Sequence, residues 1–516
     1  MRLLNREKRT WDKCIFLMLF LIFFLIIFYI MGILDSGYHF VDDHEFVRYN
    51  KSLLSEGLVS TLITAVKNDM LIRFRFTYTI IRVLESYLFP NFIALHIFQT
   101  LLVALAFYLS YIFARMCGCS ILLSCILPLI IYIGPQAEVW WRLGPQENLG
   151  VLFLMLTLTA LIRYMNTTKK VDLFIVAILI FFLGGTKESF LVLIPVLPLF
   201  MVWYSLRKEG LALDWTSVKV VVRKYKSIIG WCCVVFGVDI LFILCVVGTN
   251  KIGYAGIDSN YGLGKYISNV MSLCAEELKP YIVTTICLII LVTTSNVYIA
   301  IKQKKYHMSN LWILEMAIFL FVFATQLVLH AKSGIFLRYF IPSTIGFGLL
   351  WTIFLADKAR GNKIVKCIYN IVIIMGISKM IWGSDVWEKG VFYADNGKNT
   401  EAVMQEIASY SDREPTVVSA MASELDLSLS IYLQEVHGMD AVYGVYCSEM
   451  KDGMVSDGYR LSDIEKESMP ILDADIYITY EGNDGWQELV DSHGLKLDEY
   501  IRQDFGRYYL YVSKNY

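Results

Sequence analysis

Apolar positions along this chain fall into long unbroken runs, not into the alternation of an exposed strand or the stripe of a surface helix. The runs lie near 14–34, 91–114, 120–134, 148–164, 171–186, 189–206, 228–248, 281–301, 310–330, 338–356 and 364–383. Each is long enough, or nearly so, to cross about 30 Å of hydrocarbon as a helix. The runs at 120–134 and 171–186 are short, so one re-entrant segment can pass for a span. Arg2, Arg6, Lys8, Arg9 and Lys13 precede the first run, which is too long for a signal-peptide core and has no small-residue cleavage site. It therefore reads as a retained anchor. After Ser384 the pattern changes. Short β-rich runs (Thr416 to Ser419, Ala441 to Tyr446, Asp475 to Tyr480, Tyr508 to Val512) alternate with helical patterns (Asn399 to Tyr410, Glu424 to Glu435, Trp486 to His493). The expected fold is an α-helical polytopic membrane protein of about eleven transmembrane helices over 1–383, followed by a C-terminal external α/β domain over 384–516.

Composition supports this division. Over 516 residues, 56% are hydrophobic, 18% are charged and the mean hydropathy is +0.54, which excludes a soluble multidomain enzyme. The net charge of −1 speaks against a nucleic-acid partner, but it hides an asymmetry: from Ser384 on there are 26 acidic and 10 basic residues, net −16, leaving +15 before it. Basic residues recur in every second loop (Arg115; Arg163, Lys169, Lys170; Arg207, Lys208, Lys219, Arg223, Lys224, Lys226; Lys302, Lys304, Lys305; Lys358, Arg360, Lys363, Lys366). Such loops are retained in the cytoplasm, so the N-terminus is expected inside and the acidic C-terminal part outside. The eleven cysteines show no paired spacing, and most read as small buried hydrophobes. Cys274 and Cys447 alone fall in external aqueous segments, which leaves a bridge between them open.

The alternate, external loops hold the candidate chemistry. Segment 35–90 opens with Asp35-Ser-Gly-Tyr-His-Phe-Val-Asp-Asp-His-Glu-Phe-Val-Arg48. Asp42 or Asp43, partly desolvated beside a hydroxyl, can act as general base, while Glu45 can orient a substrate. The bland alternative is a solvated loop that merely ends the first span. His39, Asp42, Asp43, His44 and Glu45 also form a ligand set for a divalent cation, but no defined metal spacing occurs: Arg48 stands where the second His of His-Glu-x-x-His would be. Further on, Arg73-Phe-Arg75 offers cations to a phosphate, or snorkelling anchors to an aromatic belt, and leads into an amphipathic segment with Arg82 and Glu85. The loop Gly134 to Asn148 carries Glu138, Arg142, Glu147 and the pair Trp140-Trp141, a flat surface for a sugar or an interface anchor. Lys187 and Glu188, in the tight turn Gly184 to Ser189, are expected at membrane depth as an internal ion pair. His330 closes one span, and Arg338 and Tyr339 open the next, where Arg338 needs an anion, a cavity or a route to the surface.

Taken in order, these residues resemble the GT-C class of polytopic glycosyltransferases, which includes protein O-mannosyltransferases and enzymes that modify lipid A or envelope polymers. The resemblance covers roughly residues 10 to 385. It rests on the acidic pair soon after the first span, on Arg73-Phe-Arg75, on Lys187-Glu188 and on the opening Arg338-Tyr339-x-x-Pro342. Phe76 and Thr77 replace a Pro that often follows the arginines. The resemblance implies a bacterial plasma-membrane enzyme that moves a sugar from a polyprenyl-phosphate carrier to a lipid, glycan or protein acceptor on the external face, with inversion at the anomeric carbon. It makes Asp42 or Asp43 the base and makes Arg73, Arg75, Lys187 or Arg338 the cations on the leaving phosphate. A glycan repeat-unit polymerase, using the loop Gly248 to Pro280, and a lipid-linked-glycan transporter share many of these features.

Overall fold

Inside hydrocarbon every backbone N–H and C=O must find a partner within its own segment, and a helix meets that need. The computed structural model of the chain describes residues 2–247, 263–303, 310–330, 337–359, 363–421, 423–439, 442–444, 474–482, 486–487, 490–491 and 495–516. Helices occupy all the long apolar runs. In chain order they are α1 (Arg2–Ile30), α2 (His44–Glu56), α3 (Leu58–Ile72), α4 (Phe76–Leu88), α5 (Phe92–Met116), α6 (Ile121–Tyr132), α7 (Glu147–Thr167), α8 (Lys170–Gly184), α9 (Glu188–Leu191), α10 (Val196–Glu209), α11 (Trp215–Lys224), α12 (Lys226–Phe242), α13 (Leu263–Ala275), α14 (Lys279–Gln303), α15 (Leu311–His330), α16 (Ile341–Leu349), α17 (Leu355–Lys358) and α18 (Lys363–Gly383).

Among the described residues, seven segments are long and apolar enough to cross a membrane, where the sequence predicts about eleven spans. They are Phe92–Met116, Glu147–Thr167, Glu188–Glu209, Lys226–Val246, Lys279–Ile299, Arg338–Lys358 and the run Lys363–Arg413, whose apolar part is α18. Cys14–Ile30, Ile121–Tyr132 and Leu311–Leu327 are shorter apolar helices. The segment expected as a long loop, 35–90, is instead mostly helical, because α2, α3 and α4 fill it. At one end of the bundle the basic residues of different loops meet. Arg207 pairs with Asp357 at 2.5 Å and donates to the Cys117 carbonyl at 2.7 Å, and Lys358 pairs with Glu315, which also accepts from Trp203 Nε1.

Beyond α18 the chain continues through α19 (Val386–Ala408) and α20 (Ser423–His437) into a five-stranded sheet of β1 (Val417–Ser419), β2 (Val442–Gly444), β3 (Ile476–Tyr480), β4 (Tyr500–Phe505) and β5 (Tyr508–Ser513). The order is β2-β1-β3-β5-β4. β1 runs parallel to β2 and β3, and β5 runs antiparallel to β3 and β4. Alternation sends Ile476 and Ile478 to one face, with Leu429, Leu433 and Leu510, and sends Tyr477 to the other, with Trp486 and Tyr511. The strand β4 is absent from the sequence-based expectation. Its residues Tyr500-Ile-Arg-Gln-Asp-Phe505 lie at the sheet edge, largely exposed, so no apolar run marks it.

The sheet and the helical bundle are joined through side chains as well as through the chain. Phe40 and Val47, which precede and open α2, are buried in the same core as Val417, Leu429 and Ile476. On α19 the small residues Gly390, Ala394 and Gly397 recur every three or four positions and are buried against the segment that leaves α1. The Ser36 carbonyl comes so close to Gly397 that a Cβ there would sit 2.1 Å from it. Bulkier side chains at these positions would hold the two apart.

Candidate active site at one end of the bundle

The acidic pair lies in a turn that the backbone adopts under strain. Val41 and Asp42 both have positive φ, 75° and 69°. For a β-branched residue this is unfavourable, and each such residue costs about 1–3 kcal/mol unless its surroundings impose it. The turn closes through hydrogen bonds from Asp43 N to Val41 O (2.9 Å) and from Glu45 N to Asp42 O (3.2 Å), which start α2. From the far end of the chain, Ser428 Oγ accepts from Val41 N at 2.9 Å.

The two aspartates have different surroundings. Asp43 is 1% exposed, and its Oδ2 has no hydrogen-bond partner among the described residues. Burial pushes its carboxyl up to about 8, aided by the charge of Asp42 and opposed by Arg142, Arg82 and the His39 backbone. Asp42 is half-buried and lies on Gly144, where a Cβ would meet the Asp42 side chain at 2.2 Å. The segment beneath it is fixed by α4: Tyr78 donates to the Gly144 carbonyl at 2.8 Å, and Arg82 donates to the Leu143 carbonyl while pairing with Glu85 at 2.8 Å. Arg82 and Glu85 are both buried, and the rings of Phe46 and Tyr78 are centred 4.9 and 5.0 Å from the guanidinium.

Cations gather near this turn as well. Arg338 feels the charges of both Glu147 and Asp42. Lys187 pairs with Glu147, the first residue of α7, and its ammonium stands 4.1 Å from the centre of the Tyr339 ring. Arg75 forks onto Glu188 with contacts of 3.0 and 3.2 Å, and its backbone N–H donates to Asp69 at 2.6 Å. The expected Lys187–Glu188 pair does not form. Lys187 is extended and Glu188 begins α9, so neighbouring side chains point to different partners, Glu147 and Arg75. The start of α4 docks on this turn through Thr77, whose N–H donates to Gly185 O at 2.9 Å and whose hydroxyl donates to Phe182 O at 2.7 Å. Only glycine fits at 185, since a Cβ would come 2.4 Å from Phe76 and 2.5 Å from Thr77.

The structure thus brings Asp42, Glu147, Lys187, Arg338 and Tyr339 together, with Arg75 and Glu188 alongside. Arg73 ends α3 and acts on Glu45, which itself pairs with Arg48 at 3.3 Å and faces His44 at 3.4 Å. The side chain of His330 lies outside the described residues, as does Cys447; the ten described cysteines are free. Trp140 and Trp141 are core residues and offer no sugar surface. Both are buried, Trp140 against Phe24, Phe107 and Tyr132, because the 134–148 segment folds inward.

Among the described residues, no three or more His, Cys, Asp or Glu are arranged to hold a metal. The imidazoles face elsewhere. His39 stacks on Tyr393 at 3.6 Å and bonds Ser36, burial holds it well below the usual imidazole range, and His44 bonds Ser428. Two contributors escape a reading of the sequence, Tyr78 and Ser428. Tyr78 sits one helical turn before Arg82, a spacing that could have placed it on the same face. Ser428 carries no sequence signal at all.

No family model and no curated protein matches this chain. Among solved structures it is similar to the crystal structure of ArnT from Cupriavidus metallidurans in the apo state. The overlap covers 95% of this chain and 97% of that one, at 11% identity and a TM-score of 0.49. A likeness that loose carries no argument about activity.

Proposed function

We propose that this chain is a membrane glycosyltransferase of the GT-C type, moving a hexosyl or pentosyl group from a polyprenyl-phosphate carrier to an acceptor hydroxyl, with Asp42 as general base. The observation that carries the reading is the position of Asp42: a half-buried carboxylate in a fixed, strained turn, close enough to Arg338 for their charges to interact, with Tyr339 and Lys187 beside Arg338. Asp43 is the poorer base, since it is enclosed and holds its proton at neutral pH.

In this mechanism the Asp42 carboxylate takes the acceptor proton, and the acceptor oxygen attacks the anomeric carbon from the face opposite the phosphate. The bond from that carbon to the phosphate oxygen breaks with its electron pair, so configuration inverts. Charge developing on the leaving phosphate meets Arg338 and Lys187. Arg75 and Glu188 hold the turn that presents Lys187. A lipid-phosphate donor of this kind needs no nucleotide-binding loop. The clustering of charge at one end of the helices favours transfer over transport, where ionisable groups gather at the midplane of broken helices. The loop on which a polymerase reading rests falls partly outside the described residues, at 248–262.

The test is sugar transfer by purified protein in nanodiscs from a panel of radiolabelled polyprenyl-phosphate sugars. Wild type should transfer. Asp42→Asn should lower turnover by about 10²–10⁴ while retaining donor binding, and Asp43→Asn should keep most of it. A folded wild type that neither transfers nor hydrolyses any donor would sink the proposal.

A further inference from the structure

We infer that Ser428 is a positioning residue: it reaches from the C-terminal unit to hold the acidic turn on both sides of the Asp42-Asp43 pair, fixing where the Asp42 carboxylate points. The catalytic consequence rests on the function proposed above; the grip itself does not.

The side chain of Ser428 is fully buried. Its Oγ accepts from Val41 N, immediately before the pair, at 2.9 Å, and lies 2.7 Å from His44 Nδ1, immediately after it. With the His44 proton on Nε2, facing Glu45 at 3.4 Å, the Ser428 hydroxyl donates to Nδ1 and accepts from Val41. One hydroxyl thus spans the strained turn. Removing it takes the acceptor from a partly buried backbone N–H at the very residue, β-branched, that is held at φ 75°.

The neighbours of Ser428 on α20 act on the same segment. Tyr432, one turn on, donates its hydroxyl to the His39 carbonyl, and Glu435 pairs with Lys51 of α2. Residues 428, 432 and 435 recur at helical spacing, so one face of α20 meets the turn and α2. Docking itself is carried by the burial of Phe40 and Val47 in the sheet's core and by Tyr432. Ser428→Ala therefore leaves the docked unit in place and removes the hydroxyl that grips the turn.

The experiment pairs hydrogen exchange with kinetics on the full-length protein in nanodiscs. In Ser428→Ala, amides of the segment 39–47 should exchange about tenfold faster, and turnover should fall about tenfold with the donor KM little changed. Glycine adopts φ 75° without penalty, so in a Val41→Gly background the same substitution should cost less than about threefold in turnover. Unchanged exchange, with or without lost turnover, overturns the inference, and so does a full penalty in the Val41→Gly background. If wild type transfers no sugar but Ser428→Ala still loosens 39–47, the glycosyl-transfer reading fails and the grip stands.

Discussion

At the scale of single residues, adjacency in sequence does not mean equivalence. Asp42 and Asp43 are indistinguishable as letters, and a loop has no period to say which faces a cavity. In the structure one is half-buried on Gly144 and the other is enclosed. The enclosed one makes stability depend on pH. The folded state keeps a proton on Asp43 up to about pH 8, whereas an unfolded aspartate releases it near 4. Between those values the folded form binds more protons, so its stability falls as pH rises through that window. Wild type should melt at a lower temperature at pH 8 than at pH 5, and Asp43→Asn should flatten that slope; equal slopes in scans of the two proteins would show that Asp43 is ionised when folded. The Gly144 contact gives a second test. Gly144→Ala would drive a methyl into the Asp42 side chain, so turnover should fall at least about tenfold while donor binding holds, and unchanged turnover would mean that the Asp42 position is not critical.

At the scale of elements, the sequence announces whatever is uniform and hides whatever is paired at a distance. The apolar runs foretell the helices well because a membrane segment needs apolar residues all round. The helices α2 and α3 hide inside a segment that reads as loop, where only the amphipathic stretch around Arg82 and Glu85, which forms α4, shows in the sequence, and the edge strand β4 has no apolar run to reveal it. Its one signal is Gly506 between Phe505 and Tyr508, in a two-residue turn of the kind that closes hairpins. The candidate charges are all visible, but not their partners: Lys187 finds Glu147 40 residues earlier and Arg75 finds Glu188 113 residues later. These pairs tie α7 to the turn before α9, and that turn to α4. Lys187→Met alone should destabilise the protein by on the order of 3 kcal/mol, since it strips a buried carboxylate of its partner. Lys187→Met with Glu147→Gln should recover most of that in thermal unfolding yet remain inactive. A double variant no more stable than the single one would mean that the pair is not what the lysine contributes.

At the scale of the whole molecule, the charge asymmetry is plain in the sequence, but it does not describe how the two parts meet. The acidic part approaches the basic part mostly through apolar surface. Phe40 and Val47 enter the core of the sheet, and Tyr38 packs on Tyr432 with ring centres 4.8 Å apart. The ion pairs that bridge the parts even include one of reversed sense, Lys398 of α19 with Asp35 at 3.6 Å. Such exposed pairs contribute little, whereas an apolar side chain buried across the junction contributes about 1.5–3 kcal/mol. If the C-terminal part completes the acidic turn, its own sequence could not disclose that role, because Ser428 and Val41 are 387 residues apart. A chain cut after Gly383 keeps Arg75, Lys187, Arg338 and both aspartates, so it separates the two duties. It should still bind a polyprenyl-phosphate sugar, read by photolabelling, because the cations remain in the bundle. It should not transfer the sugar, because Val41 and Asp42 lose what holds them at positive φ and the turn relaxes. Transfer by the shortened chain at the wild-type rate would show that the bundle alone sets the geometry of Asp42.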